Sequence, residues 1–562
     1  MRGWLFFLPL LLWVGLTHGM AASAGDDAQV REILRLRIES AGLPAELQAA
    51  GEAVRAATAV PDFYVRRFYQ PAWSRQGQPT AEAEAMLGAI ADSRLEGLEP
   101  AHYHQPAIES LWSGLRDEAL DQERRLLLLA DFDLLLSDAF LLLAAHYQQG
   151  RINPETIDPD WRARRGDADP LPVLEAALQS GEIRASLEGL LPQAAEYAGL
   201  RAALVDYRAR QAAGPWPQVP SGPTLRPGQR QERVPALRAR LIAGGDLAAP
   251  AEDERDSELY DDQLVEGVRA FQSRHGLNPD GVVGPATLAA LNVTLDERVR
   301  QIEINLERWR WLPRDLGERH ILVNIAAFQV ELVEQGRAVL DMRAVVGRLY
   351  RRTPVFSGSM TYLVLNPNWQ VPHRLAVEDI LPQVQKDPGY LSRQGYRVFR
   401  GWGSEAIEIH PAEVDWQRLT KRGFPFNLRQ EPGPANALGR IKFMFPNPYD
   451  VYLHDTPARE LFRKEARAFS SGCIRIEKPL DLALRLLAGT ALGEPEGLAA
   501  ALERPGPRTV RLPRPVPVHV LYWTAWVDPQ GRLQLRADIY ERDERLGQAL
   551  EQPPPQPTRT TS

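Results

Sequence analysis

The chain runs to 562 residues, more than one hydrophobic core ordinarily serves, which points to two to four domains. With 44% hydrophobic and 25% charged residues it is globular rather than disordered, and a net charge of −7 gives no basic surplus for a nucleic-acid partner. A single cysteine, Cys473, excludes an intramolecular disulfide framework.

The first 24 residues read as an export signal: Arg2, an apolar run from Trp4 to Leu16, then Ala22-Ser23-Ala24 before Asp26 and Asp27. The run is short for a membrane span, so an uncleaved inner-membrane anchor is the minority reading. No cysteine sits near the cleavage site to make it a lipoprotein. Residues 25–215 look helical. The Leu-rich stretch 121–150 carries Asp131, Asp133 and Asp138, which argues for a buried core helix and against a bilayer. Pro and Gly crowd residues 212–229, an expected extended linker. In 230–295, Val234, Leu237 and Leu241 share a helical face, as do Leu264, Val268 and Phe271. Asn278-Pro279-Asp280-Gly281 is a turn and Gly284-Pro285 opens a last short helix, which completes a three-helix module.

From 319 to 543 the pattern is mainly β. Period-two alternation flanks a hairpin at Glu334-Gln335-Gly336, and further strands fall in "TYLVLNPNWQVP" and "IKFMFPNPYDVYLHDTP". Residues 458–469 and 479–489 are expected helices, and 516–540 a strand pair turning at Asp528-Pro529-Gln530-Gly531. Residues 373–430 are less regular, a cap-like insertion. Residues 546–562 are expected to be a disordered tail. The fold class is thus multidomain α+β.

The lone thiol sits in "FSSGCIRIEKP". Gly472 allows close approach, Arg475 stands two residues on, and His454 closes the strand "VYLH" nineteen positions earlier. An imidazole can take the thiol proton or hold it as an ion pair, and the thiolate can then attack a carbonyl. Amides near Gly472 and Cys473 would stabilise the oxyanion, and Arg475 would lower the thiol pKa or pin the loop. From the residues alone two readings stand: this nucleophile, or a small buried hydrophobe beside a structural histidine. Trp369, Tyr390 and Trp402 line a groove or simply pack. Arg348, Arg351 and Arg352 read as a solvated face, with recognition of substrate carboxylates as the alternative. His373 and His410 lack partners at metal-ligand spacing, so neither metal nor cofactor is expected.

"HDTP…FSSGCIRIEKP" resembles the catalytic signature of the L,D-transpeptidases, bacterial cell-wall cross-linking enzymes. His454, Ser470, Gly472, Cys473 and Arg475 match it. Ser471 stands where the commonest version has a second histidine, as in large periplasmic members with an N-terminal scaffold. "GVRAFQSRHGLNPDGVVGPATLAALN" is similar to a peptidoglycan-binding module. The resemblance implies a β-sandwich catalytic domain and no metal. It implies Cys473 as nucleophile, His454 as general acid/base, Gly472 as oxyanion-hole backbone and Arg475 as thiolate support. The substrates implied are a donor tetrapeptide stem, which loses D-Ala, and an acceptor stem, joined as a 3→3 cross-link. Glycan strands would bind through 230–295, with other cell-wall synthesis proteins as further partners. The periplasm is the implied location, and carbapenems are implied acylating agents. Water, a free D-amino acid or a lipoprotein lysine are alternative acceptors. A non-catalytic wall-binding scaffold is the alternative of another class.

Overall fold

The computed structural model describes residues 14–41, 47–161, 169–249 and 257–554. Much of the export signal expected over residues 1–24 lies outside the described residues. The N-terminal part is helical from α1 (Val14–Ser40) to α3 (Ala195–Ala213), with two short strand pairs at 48–53 and 74–79 that the helical expectation did not include. Its axis is α2 (Gln122–Gln149), capped by Asp121, whose carboxylate accepts from the Arg124 N–H. The acidic residues in this apolar helix are pinned. Asp133 accepts from the Ala72 and Trp73 amides and the Tyr64 hydroxyl, Asp138 from the Arg55 and Ala56 amides, and Asp131 pairs with Arg37. Buried carboxylates are thus spent on ordering loops that would otherwise bury bare N–H groups.

The module is built from α4 (Val234–Gly244), α5 (Asp262–Arg274) and α6 (Pro285–Leu291) around Leu237, Leu241, Leu264, Val268 and Phe271. The expected linker is not a free tether. Trp216 packs on the N-terminal core, Val219 and Leu225 enter the module core, and Leu225 exchanges backbone hydrogen bonds with Val283. Helix α7 (Leu295–Arg310) follows, opened by a Thr294/Glu297 capping box. It packs on α3, and its buried polar residues tie the body together. Arg310 pairs with Glu307, Asn305 binds Thr524, and Arg308 reaches Asp543.

The catalytic region holds β1 (Arg319–Asn324), β2 (Gln329–Glu334), β3 (Arg337–Gly347) and β4 (Phe356–Leu365), then β5 (Trp369–Gln370), β6 (Tyr396–Arg400), β7 (Ile407–Ile409) and β8 (Phe426–Gln430). It continues with β9 (Ile441–Met444), β10 (Leu453–His454), β11 (Ala468–Ser470), β12 (Ile474–Ile476), β13 (Arg508–Leu521), β14 (Ala525–Val527) and β15 (Leu533–Leu535). One sheet runs β11-β3-β12-β10-β9-β4-β13-β1-β2, and β2 also pairs with β3, so in hydrogen bonds the expected sandwich is a single sheet closed on itself. The hairpin at Gln335-Gly336 joins β2 to β3 as expected. Strand β13 shifts register between Arg511 and Val516, where Pro513 and Pro515 cannot donate to the ladder.

Three expectations need correction. Residues 458–469 are a short 3₁₀ turn (Arg459–Arg463) followed by β11, because only Phe462 is buried there and the chain must return to pair with β3. The insertion begins before 373. Strand β5 belongs to its four-stranded sheet β7-β6-β8-β5, which packs with residues 376–384 around Val384, Val398 and Leu428. The tail is ordered as far as α9 (Arg542–Glu551), whose Leu546 and Leu550, one turn apart, join the catalytic core while Arg542 pairs with Asp158. Residues 555–562 of that tail lie outside the described residues. Helix α8 (Pro479–Leu486) starts at Pro479 as the sequence indicates.

Candidate active site

Strand β10 is only two residues long, yet it fixes the site. It pairs antiparallel with β9 and parallel with β12, so His454 stands between Lys442 and Arg475. Leu453, Ile441, Phe443, Ile474 and Ile476 point into the sheet interior. Alternation therefore places Lys442, Tyr452, His454, Cys473 and Arg475 together on the opposite face. The Ile474 N–H donates to the Tyr452 carbonyl at 3.1 Å, which sets Cys473 level with Tyr452. Cys473 and His454 are one strand across and two residues along, roughly 8 Å in backbone, within reach of two side chains on one face.

His454 is 5% exposed, and its Nδ1 lies 2.6 Å from the Asp455 carbonyl. A carbonyl only accepts, so Nδ1 carries the proton and Nε2 keeps a lone pair. Burial, then the Arg475 charge, push the imidazole pKa down to about 3, with Lys442 adding to the effect and the Asp455 bond opposing it. Cys473 is half-buried, its Sγ 3.8 Å from the Asp450 carbonyl. Burial raises its thiol pKa, while the Tyr452 N–H and hydroxyl, Lys442 and Arg475 pull it back. These shifts favour a neutral thiol and a neutral imidazole on one face, the first of the two states the sequence left open. Lys442 and Arg475 add two positive charges to this face.

The loop before the thiol is knotted. The Ser470 hydroxyl donates to the Cys473 carbonyl at 2.5 Å and accepts from the Gly472 N–H at 3.1 Å. The Gly472 carbonyl accepts from Thr353 Oγ1 at 2.9 Å. Gly472 has φ +119°, a conformation L residues rarely adopt, while a Cβ there would find ordinary space, so the backbone and not crowding calls for glycine. Its expected oxyanion role is corrected. The Gly472 amide is spent on Ser470, whereas among the described residues no acceptor meets the Cys473 amide, the other donor expected from the sequence. Arg475 is corrected in part: its guanidinium makes no hydrogen bond among the described residues and its Nε is buried without a partner, so it does not pin the loop. Its charge still favours the thiolate.

Ser471 is exposed and accepts from Arg351 Nη1 at 2.8 Å. Arg351 is no solvated residue. Its side chain is 5% exposed and also binds Asp379 at 2.6 Å and Glu378 at 2.6 Å, both in the insertion. One guanidinium thus ties the cap to the loop that carries the thiol. The Tyr452 hydroxyl lies near both Cys473 and the indole of Trp369 on β5, and burial first, then Cys473, hold its pKa well up. Trp369 therefore belongs to the site, whereas Tyr390 stacks on Tyr396 inside the cap and Trp402 is exposed. Arg348 donates to the Phe469 carbonyl and Arg352 to the Leu349 carbonyl. Sequence reading missed Lys442 and Tyr452. The alternation of "IKFM" and "VYLH" around core residues was the signal available. Among the described residues no cluster of three or more His, Cys, Asp or Glu is placed to hold a metal ion.

Comparison with known proteins matches residues 318–502 to the L,D-transpeptidase catalytic domain, 230–291 to the "Putative peptidoglycan binding domain" and 58–204 to the scaffold domain. The chain therefore carries an L,D-transpeptidase catalytic domain, a peptidoglycan-binding domain and a helical scaffold domain. A Haemophilus influenzae protein named "Putative L,D-transpeptidase" is 35% identical over 251 residues, 44% of this chain and 49% of that one. The Mycobacterium tuberculosis N-acetylmuramoyl-L-alanine amidase CwlM is 44% identical over 82 residues, 14% of this chain and 20% of that one. The chain thus spans about half the length of the first of these relatives and a fifth of the second. Among solved structures, an L,D-transpeptidase from Mycobacterium smegmatis aligns over 36% of this chain and 58% of its own at 15% identity and TM-score 0.17. One from Xylanimonas cellulosilytica aligns over 54% and 99% at 16% identity and TM-score 0.17.

Proposed function

We propose that this protein is a cysteine L,D-transpeptidase that forms 3→3 cross-links between peptidoglycan stems. The observation that carries the reading is the shared face of β10 and β12, which holds Cys473 and a His454 whose Nε2 keeps its lone pair. Cys473 Sγ attacks the carbonyl that precedes the terminal D-Ala of a donor tetrapeptide, and its proton passes to His454 Nε2. The oxyanion forms against the Cys473 amide, with Lys442 and Arg475 near the developing charge. The C–N bond breaks, His454 returns the proton to the leaving amine, and D-Ala departs from a thioester. The acceptor stem's side-chain amine then attacks, gives a proton to His454 and expels the thiolate, which recovers that proton. The unpaired Arg475 suits a carboxylate of the donor stem. Neutralising Arg475 would raise the proton affinity of His454 when substrate is present.

Stem peptides lie outside the cytoplasm, so the reading requires the export that residues 1–24 would supply. The test is intact-protein mass after carbapenem exposure, together with muropeptide analysis of purified sacculi. One carbapenem should add to the wild type and none to Cys473→Ala, and only the wild type should release D-Ala and form 3→3 dimers. Dimers made by Cys473→Ala would end the proposal. Free tetrapeptide-to-tripeptide conversion without dimers would make water the acceptor.

A further inference from the structure

A cleft of about 960 Å³ opens between the peptidoglycan-binding domain and the catalytic sheet, at the end of β12 away from Cys473. The module contributes Ser273 to Leu277, and the catalytic sheet contributes the start of β2, residues 341–343 and the turns around β11 and β12. Four cationic side chains line it: Arg343, Arg467, Lys478 and Arg536. Among the described residues none of the four has a carboxylate within ion-pair distance, although Asp341, Glu465 and Glu477 also face the cleft. Their hydrogen bonds go to carbonyls instead. Arg467 donates to Ala344, Lys464 and Phe328, Arg536 to Arg274, Arg343 to Phe462 and Lys478 to Asp341.

Carbonyls fix the positions of these cations without cancelling their charge. Burial and the neighbouring Arg343 bring the Arg467 pKa down to about 10, and burial with Arg467 does the same to Arg536. Like charges held together in a half-buried cleft gain from an anion. The cleft walls are also held in register. Arg536 packs on Gly276, where a Cβ would collide with its side chain, and donates to the Arg274 carbonyl at 2.9 Å. The module is thereby tied to the chain that follows β15, and the cleft is a built feature and not a gap between loosely tethered domains.

We propose that this cleft is a second peptidoglycan site, which takes a carboxylate-bearing stem peptide and holds the wall strand while another stem occupies the groove at Cys473. The identity of the ligand rests on the transpeptidase reading. The anion site itself rests on the four cations. Guanidinium forks suit carboxylates, and the cleft volume falls in the range of sites for extended small ligands.

The test is hydrogen-exchange mass spectrometry on the full-length protein with its thiol capped by iodoacetamide, titrated with a soluble disaccharide tetrapeptide. Protection is expected in segments 273–277, 341–343, 465–467 and 534–539. It should vanish, with affinity down about tenfold, in the Arg343→Gln/Lys478→Gln double variant, which changes two surface cations. An amidated tetrapeptide, its carboxylates converted to carboxamides, should give the same loss with the protein unchanged. Protection confined to the Cys473 groove, or equal binding of the acid and amide forms at the cleft, would overturn the proposal. Carbapenem acylation of Cys473 is measured alongside on uncapped protein. Acylation without cleft protection removes the second site alone, and cleft protection without acylation removes the transferase reading alone.

Discussion

His454 gives the catalytic domain an acid-labile strut whose size can be worked out. Unfolded, the imidazole takes a proton below about pH 6.5, whereas in the folded sheet its pKa is down to about 3. The folded state therefore refuses a proton that the unfolded state accepts. Full stability is present above pH 6.5, drains as the pH falls, and this contribution is gone by about pH 3. At ~1.4 kcal/mol per tenfold, the whole interval is worth about 5 kcal/mol, of which about 2 kcal/mol is lost by pH 5. The perturbation is acidification, and the control is His454→Gln, which has no proton to gain. Hydrogen exchange of the β9, β10 and β12 amides, corrected for intrinsic rates, should show roughly thirty-fold less protection at pH 5 than at pH 7 beyond any change in the variant. Titrating groups elsewhere act equally on both proteins and cancel in the comparison. Equal pH slopes for wild type and His454→Gln would refute the argument, because they would mean that the imidazole is solvated or already charged in the fold.

The nearby Tyr452 hydroxyl helps hold the Cys473 thiol pKa down against burial, so Tyr452→Phe should move the pH inflection of Cys473 alkylation upward and slow acylation about tenfold at neutral pH. An unchanged inflection would exclude the phenol from the chemistry. Gly472→Ala forces an L residue to φ +119°, which costs on the order of 1–3 kcal/mol and should slow acylation with little change in global unfolding. A variant as reactive as wild type would show that the loop relaxes freely. Arg351→Gln cuts the tie between cap and loop. With its partners partly in water the loss should be about 2 kcal/mol, seen as faster exchange over residues 371–386 and a raised KM. Unaltered exchange there would mean that the cap is held without Arg351.

Much of this site was legible in the chain, and the divide follows the range of the interactions. Cys473, Gly472 and His454 announced themselves through local chemistry: a lone thiol, a flexible residue before it and an imidazole at a strand end. The module showed through the spacing of Leu237, Leu241, Val268 and Phe271, because a helix writes its buried face at fixed intervals. Lys442 and Arg351 were hidden because register between distant strands, and not neighbouring sequence, decides what they touch. Lys442 enters the site only through the pairing of β9 with β10, and Arg351 finds carboxylates 27 and 28 positions later. The role of Gly472 failed for a related reason. Its amide was open in sequence, and only the folded loop shows Ser470 claiming it. In the tail, the prolines after Gln552 masked Leu546 and Leu550, whose burial depends on a groove made by other strands.

The pairing of Val219 with Asn292 has a consequence for how the protein is put together. The Val219 N–H donates to Asn292 Oδ1 and Asn292 Nδ2 donates back to the Val219 carbonyl, both at 2.9 Å. The chain thus leaves the scaffold at Trp216, makes the whole module and returns beside its own point of departure to begin α7. Scaffold and catalytic sheet are two halves of one body with α7 as a shared beam, and the wall-binding unit is a plug-in whose two leads sit side by side. The beam could be rejoined across that junction by a short loop, leaving a body without its plug-in. Cutting the chain between scaffold and sheet would instead strip α7 of partners on one flank and leave the Arg310–Glu307 pair facing water.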